Sequence, residues 1–529
     1  MLFKLKGFLK KIKQDDKSLA SVQITLKKEG NIKKLLAALT DVNNLGRHNI
    51  TELDLSGSRL TADNIKTLVS ALNELPNIKT LGLDQCEIID EHTSYLAKLK
   101  HVTTLSLKSN CLEEQPMFSR HLTALYLDDN PKISAKQVLL NLSIYAQNLK
   151  ILSLNRCNVT DDALHYINKD GLKGLDKLYM RENSLSFNGI HDLQGFSLLT
   201  CLDLGQNKNI TDHGVERISR FPLLKALFLD NCNLSFRGFD SILQMPKLAT
   251  VDLSYNAGIK YSQWSEISGG QSILQNVKLN FCGLDDAHAE ALVTLIPLLR
   301  NLEIANNAIT KVGLCTLLDG LSLQTLVAHT QPLYRPARNK KEQAKEIEPL
   351  LTAISTASKL TAINLERTGL TAEMLLSLLP TAESPSKLKT LNGLSCQEQE
   401  VKLKAEIEGK NNPRITALES PRAAETSGSE SVPSSKKLSK KDRRIQELEL
   451  EVQQLKLQLQ KAEQQLAKLN GVELVESGNS ASVQQLVVQF GGAARNLGTH
   501  GHFAHKRTAR TTAATPSATP SSDYNPFTS

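Results

Sequence analysis

The sequence predicts an α/β solenoid, a curved parallel sheet inside with helices outside, followed by a linker, a single coiled-coil helix and a disordered tail. Three observations predict it. A short template recurs fourteen times, with apolar residues at its first, fourth and sixth positions and a small polar residue at the ninth. Between copies the apolar spacing changes from that of a strand to that of a helix. After residue 437 a seven-residue period replaces both. Such a repeat buries a stacked ribbon of core rather than one globule, so the length of 529 residues does not count domains.

Residues 1–49 read as an N-terminal helix and cap. In LFKLKGFLKKIK (residues 2–13), Leu2, Leu5, Leu9 and Ile12 share one helical face and lysines cover most of the other. That pattern fits either a weak membrane-surface contact or a cap over the open end of the array, and the cap is preferred. Val22, Ile24 and Leu26 then alternate as a strand, and Ile32, Leu35, Leu36 and Leu39 repeat as a helix.

Residues 50–396 hold the repeats. LTCLDLGQNKNI (199–210) and LKALFLDNCNL (224–234) show the template, whose first position falls at Ile50, Ile78, Val102, Leu122, Leu149, Leu175, Leu199, Leu224, Leu248, Leu274, Leu299, Leu323, Leu360 and, degenerately, Leu388. The core of each unit reads as a short strand. The segment after it opens with Thr or Ser caps, as in LTADNI at 60 and LTAEML at 370, ahead of helically spaced apolar residues.

Two units depart from the rule. Only 20 residues separate Val102 from Leu122, and Pro116 leaves little room for a helix. Leu323 and Leu360 lie 37 apart, and the extra segment, 334–349, is expected to protrude.

Cys86, Cys157, Cys232 and Cys282 occupy the ninth position, alternating with Asn110, Asn183, Asn207, Asn256 and Asn307. Their spacing predicts buried reduced thiols that contact neighbouring backbone, rather than a disulfide or zinc framework, and favours a cytoplasmic setting. The asparagine sequons at 49, 141, 158, 209 and 233 largely restate the repeat, so glycosylation is not expected.

On these residues the chain resembles the ribonuclease-inhibitor-like and cysteine-containing classes of leucine-rich repeat. The resemblance implies the curved parallel sheet and the outer helices.

Residues 397–437 read as a closing helix and a linker in which Pro413, Pro421 and Pro433 stand among small polar residues. Residues 438–470 read as a coiled coil, with Ile445, Val452, Leu459 and Leu466 on one seam and Leu448, Leu455, Ala462 and Leu469 on the other. That choice of core residues favours a parallel homodimer. KKLSKKDRR (436–444) reads as solvated helix ends before it, and His500, His502 and His505 lack the rigid scaffold a metal needs. Residues 471–529 read as a disordered tail.

No phosphate loop, HExxH, paired CxxC or GxSxG elbow occurs. The sequence therefore predicts a binding protein rather than an enzyme, with no cofactor and no metal. The net charge of +8 concentrates at the two ends, leaving the repeats slightly acidic, so nucleic acid is not expected as a partner.

Alternation places the third, fifth, seventh and eighth template positions on the concave face. These are where a protein partner is expected: Tyr126, Asp128, Arg156, Tyr179, Arg181, Asp203, Phe228, Asp230, Asp252, Tyr255, Lys278 and Phe281. Aromatics and arginine dominate interface hot spots, although cross-strand packing without a ligand explains the same rows.

An array, a coiled coil and a small-residue tail with Phe527 near its end together resemble the leucine-rich-repeat and coiled-coil effectors that Legionella-type bacteria deliver through a type IV (Dot/Icm) secretion system. That resemblance implies a cytoplasmic protein secreted into host cytoplasm, where it binds a host protein. The glutamate-rich block of many such tails is missing. The alternatives are a resident intracellular scaffold or inhibitor and a GTPase activator; the family of such activators with this repeat class carries an acidic tail, whereas this tail is basic.

Overall fold

Leucines at the fourth and sixth positions set the architecture by pointing to one side of every strand. In the computed structural model these residues, from Leu53 and Leu55 to Ile363 and Leu365, are buried in one continuous core. Each contributes roughly 2 kcal/mol through burial. The structure describes residues 4–411 except 15, 168–171, 261–263, 265, 266, 268–271, 332, 334–339 and 382–385. The segments read as a coiled coil and a tail, Phe527 and the histidines at 500–505 lie outside the described residues, as does most of the segment read as a linker.

Strands follow in chain order: β1 (Ser21–Gln23), β2 (Glu52–Asp54), β3 (Thr80–Gly82), β4 (Thr104–Ser106), β5 (Ala124–Tyr126), β6 (Ile151–Ser153), β7 (Lys177–Tyr179), β8 (Cys201–Asp203), β9 (Ala226–Phe228), β10 (Thr250–Asp252), β11 (Asn276–Lys278), β12 (Asn301–Glu303), β13 (Thr325–Val327), β14 (Ala362–Asn364), β15 (Thr390–Leu391) and β16 (Leu394–Ser395). They form one sheet in sequential order, parallel from β1 to β15. Each strand from β1 to β14 covers the third to fifth template positions, so like positions face each other across the sheet, as in Tyr179↔Asp203 and Asp203↔Phe228. This is the α/β leucine-rich-repeat solenoid.

The ladder starts one unit before Ile50. Leu19, Val22 and Ile24 fill the first, fourth and sixth positions, and β1 pairs with β2 in the register of every later unit. A helix, Leu5–Lys11, precedes it, with Phe8 and Ile12 fully buried, Leu5 and Leu9 half-buried and Lys4, Lys6 and Lys10 exposed. The apolar side of this helix is spent on the core, with Phe8 rather than the expected stripe of leucines at its centre.

At the other end Asn392 and Gly393 both take positive φ, 52° and 78°. This favours a two-residue hairpin, which turns β16 antiparallel to β15 and ends the parallel ladder. The helix Cys396–Asn411 follows.

The ninth position ties the turns together. Asn207 donates to the carbonyls of Met180 and Leu204 (3.0 and 2.8 Å) and accepts from the N–H groups of Asn183 and Leu185 (3.1 and 3.2 Å). Asn110, Asn130, Asn183, Asn256 and Asn307 occupy the same position, each donating to a carbonyl of the preceding unit. Each cysteine thiol instead donates to the sixth-position carbonyl of the preceding unit, as Cys232 does to Leu204 at 3.2 Å. Burial pushes these thiols up, Cys86 to about 11 and Cys157, Cys232 and Cys282 to about 12, so they stay protonated and inert.

A second ladder runs over the helices. Asp161, Asp212 and Asp286 each accept from the backbone N–H and hydroxyl of the Ser or Thr that opens the next unit's helix, Ser186, Ser235 and Thr310. Carboxylates there complement the helix N-terminus.

The two irregular units resolve differently. No helix lies between β4 and β5. Of the insertion expected to protrude, residues 334–339 lie outside the described residues, and from residue 340 on it belongs to the helix Lys340–Thr356, whose Ile347, Leu350 and Ile354 are buried at helical spacing. Its apolar stripe makes that part a normal unit helix, anchored also by Lys311 to Glu346.

Candidate functional site

The concave face is built from three rows that the repeat aligns. The fifth-position row reads Tyr126, Ser153, Tyr179, Asp203, Phe228, Asp252, Lys278 and Glu303 from β5 to β12. Tyr126, Tyr179 and Phe228 are half-buried there. Lys108 lies over the Tyr126 ring at 4.9 Å and pairs with Asp128 at 2.8 Å. Burial, with Cys201 beside it, pushes the Tyr179 phenol above its ordinary range, so it stays a neutral hydroxyl.

The seventh-position row is largely internal. Asp128 accepts from the Ser153 hydroxyl and the Asn155 N–H, and Asn155 accepts from the Arg181 N–H (2.7 Å). Arg181 reaches across two units to Asp230 with two hydrogen bonds, 2.7 and 2.5 Å, and touches Asp203 at 3.2 Å. Burial disfavours the Arg181 charge, but Asp230 and Asp203 outweigh it and raise its pKa. Burial raises the carboxyls of Asp203 and Asp252. Asp252 spends one oxygen on the Ser254 N–H, and Lys278 pairs with Glu303 at 2.9 Å.

Gly205 makes the long bridge feasible. A β-carbon there would lie on Asp230 Oδ1 and 2.6 Å from Nη2 of Arg181. Gly205→Ala is therefore expected to break the Arg181–Asp230 pair and cost about 1–3 kcal/mol, since Asp230 would be left buried without its cation. Urea unfolding of the two proteins side by side measures it, and an unchanged midpoint would mean the bridge contributes nothing.

The eighth position is left-handed in unit after unit: Gln85, Ser109, Asp129, Arg156, Glu182, Gln206, Asn231, Tyr255, Phe281, Asn306, Thr330 and Arg367 all have φ between 53° and 66°. The N–H groups there donate to the next unit, as Tyr255 does to Asn280 and Phe281 to Ala305, and this fixes the conformation. Arg156 uses its place to pair with Asp129 and Glu182. Its hydrogen bonds hold the Asp129 carboxyl below the usual range.

Tyr255 and Phe281 behave differently. Left-handed backbone costs a bulky residue about 1 kcal/mol or more, yet these rings remain 52% and 43% exposed. They stack on each other at 4.6 Å, 13° from parallel.

The predicted residues thus fall into two groups. Asp128, Arg181, Asp203, Asp230, Asp252 and Lys278 pair mainly within the array, and Arg156 pairs in the more exposed row. Tyr255 and Phe281 present an apolar platform to solvent, with the half-buried Phe228 two strands away from Lys278 in the same sheet. Sequence reasoning did not single out Lys108, Glu182, Glu303 or Gly205. The lateral register carries the signal for Glu303, since it stands opposite Lys278 one unit on. Among the described residues no group of three metal-ligating side chains comes together, and no helix is long and apolar enough to cross a membrane.

A family model described as Leucine Rich repeat matches residues 145–167 and 197–219. The chain is 26% identical over 247 residues to the putative RNA-binding protein EEED8.10 of Caenorhabditis elegans, covering 44% of this chain and 33% of that one. It is 32% identical over 101 residues to leucine-rich repeat-containing protein 42 of Xenopus tropicalis, covering 17% and 24%. The chain spans a third or less of the length of these curated relatives. Among solved structures it is similar to that of a TLR13–ssRNA13 complex, with a TM-score of 0.45 and 17% identity over 70% of this chain and 51% of that one. An internalin (inlF) from Listeria monocytogenes gives a TM-score of 0.38 and 17% identity, covering 74% and 94%.

Proposed function

We propose that this chain is a non-enzymatic interaction module that binds a protein through the concave face of its leucine-rich repeats. Solenoid arrays of this kind offer extended concave surfaces for binding. The observation that carries the reading is the stacked, half-exposed Tyr255–Phe281 pair held in left-handed backbone. In most other units the same left-handed position is filled by polar or charged residues, as at Ser109, Gln206 and Asn306. Around the two rings the charges are mostly paired, which leaves aromatic contact as the main source of affinity.

Nucleic acid is the competing partner class. A relative named as a putative RNA-binding protein gives the charge argument against it no support. Affinity capture with the wild type and with Tyr255→Ala/Phe281→Ala, each with and without ribonuclease, tests the reading. A set of ribonuclease-resistant proteins lost with the variant supports it; an identical set overturns it.

Two finer proposals follow, the first resting on the seven-residue apolar period and the second on the resemblance to secreted effectors. Residues 438–470 pair two copies in parallel through the seam from Ile445 to Leu469. The tail ending in Phe527 directs type IV delivery into a host cell, where the bound protein is the host's. A translocation reporter fused to residues 500–529 is expected to reach host cytoplasm only with an intact secretion system. Failure to do so favours a resident scaffold. Stimulated GTP hydrolysis on mixing with small GTPases would instead favour an activator.

A further inference from the structure

The helical layer lacks one member, and the vacancy has walls. Where a helix would follow β4, residues 113–119 run as an extended segment pinned to the preceding unit. The Asp90 carboxylate accepts from the N–H groups of Glu113, Glu114 and Gln115 at 3.1, 2.9 and 2.8 Å. Thr93 Oγ1 accepts from the Met117 N–H, and the Ser119 hydroxyl donates to the Leu99 carbonyl, both at 2.8 Å.

A cavity of about 600 Å³ remains between residues 97–100 on one side and the last turns of the helix Ala135–Tyr145 on the other. Met117 and Tyr145, which line it, are 53% and 61% exposed. Phe118 and Leu142 supply apolar floor. Lys98, Lys100 and Arg120 also line it, with no acidic residue among the lining side chains. Among the described residues no carboxylate forms a salt bridge with any of the three.

We propose that this groove docks an acidic amphipathic helix of a partner protein, seated where the array's own helix is missing. The site lies between the helices of flanking units, so a helix is the element that continues the layer and lays its apolar face on Met117, Phe118 and Tyr145. Three cations without a carboxylate partner at the rim, Lys98 resting over the Tyr95 ring at 5.5 Å, select glutamate and aspartate on its flanks and disfavour a basic helix. The proposal is independent of the concave-face reading, because it uses the opposite side of the sheet.

The test uses the full chain and a fluorescent amphipathic peptide with leucines at helical spacing and glutamates elsewhere, followed by anisotropy. Saturable binding is expected, weakened at least about tenfold by Met117→Ala/Tyr145→Ala and likewise by Lys98→Glu/Lys100→Glu. The same peptide with lysines in place of glutamates is expected not to bind. Tyr255→Ala/Phe281→Ala is expected to leave binding unchanged. Circular dichroism confirms that the variants, all at exposed positions, remain folded.

No saturable binding, or binding that neither groove variant weakens, overturns the proposal. If only the charge variant weakens binding and a single-stranded RNA oligonucleotide displaces the peptide, the groove is a polyanion site and the helix proposal falls.

Discussion

Asn207→Ala is expected to lower the stability of the array by about 2–5 kcal/mol and to split its unfolding into separate steps. Asn207 is 1% exposed and serves five backbone groups at once, three carbonyls and two N–H groups from consecutive units. Alanine removes that partner from all five in a site closed to water, at about 1–3 kcal/mol for a buried group left unsatisfied, partly relieved by relaxation and by the Cys232 thiol, which still reaches the Leu204 carbonyl. Apart from the Arg181–Asp230 bridge, each unit packs against its neighbours, so the loss falls on one interface and weakens the coupling between the two sides.

Asn207→Cys is expected to be milder. A thiol is what Cys232 uses to reach the Leu204 carbonyl, so it restores a donor, although no acceptor for Asn183 and Leu185. Equilibrium urea unfolding followed by circular dichroism and by fluorescence distinguishes the outcomes. Coincident, unshifted transitions in Asn207→Ala would show that the ladder is dispensable.

Tyr255→Ala with Phe281→Ala is expected to weaken partner binding by about a hundredfold while leaving the fold intact. Central aromatic anchors are each worth roughly 2 kcal/mol or more when truncated, and stacked neighbours do not add independently. The array itself loses little. Both rings are about half exposed, and alanine bears the left-handed backbone no worse than a bulky ring does. The matched control is Tyr179→Ala with Phe228→Ala in the flatter strand row, expected to weaken binding less if the platform at 255 and 281 is the anchor. Titration calorimetry against the captured partner, with thermal unfolding alongside, separates loss of contact from loss of fold.

The repeat core is the most legible part of the chain because its physics is periodic. An apolar residue, usually leucine, at the fourth and sixth positions of a unit must point inward for the strands to stack, and register follows. Where periodicity lapses, so does the reading. Leu19, Val22 and Ile24 satisfy the template, but a 31-residue step to the next unit hides them. Phe8 rather than Leu5 or Leu9 centres the first helix because packing against the array sets its rotation.

The candidate site was legible as rows, not as partnerships. Alternation places Arg181, Asp203 and Asp230 on one face, yet which of them meet depends on rotamers and on Gly205 leaving room between units. Spacing alone cannot distinguish a charge spent inside the array from one offered to a partner. The Tyr255–Phe281 stack was present in the sequence as two aromatics at the eighth position of successive units. Its significance required the left-handed backbone and the exposure, which belong to the fold.

Photo-crosslinking tests the central claim most directly. A benzophenone amino acid replaces Phe281 in one sample and Arg237, on the helix Phe236–Leu243, in another. Irradiation in lysate is predicted to give a discrete adduct from position 281 that protease removes and ribonuclease does not, with none from position 237. Adducts from 237 alone, or a ribonuclease-sensitive adduct at 281, would contradict a concave protein-binding face.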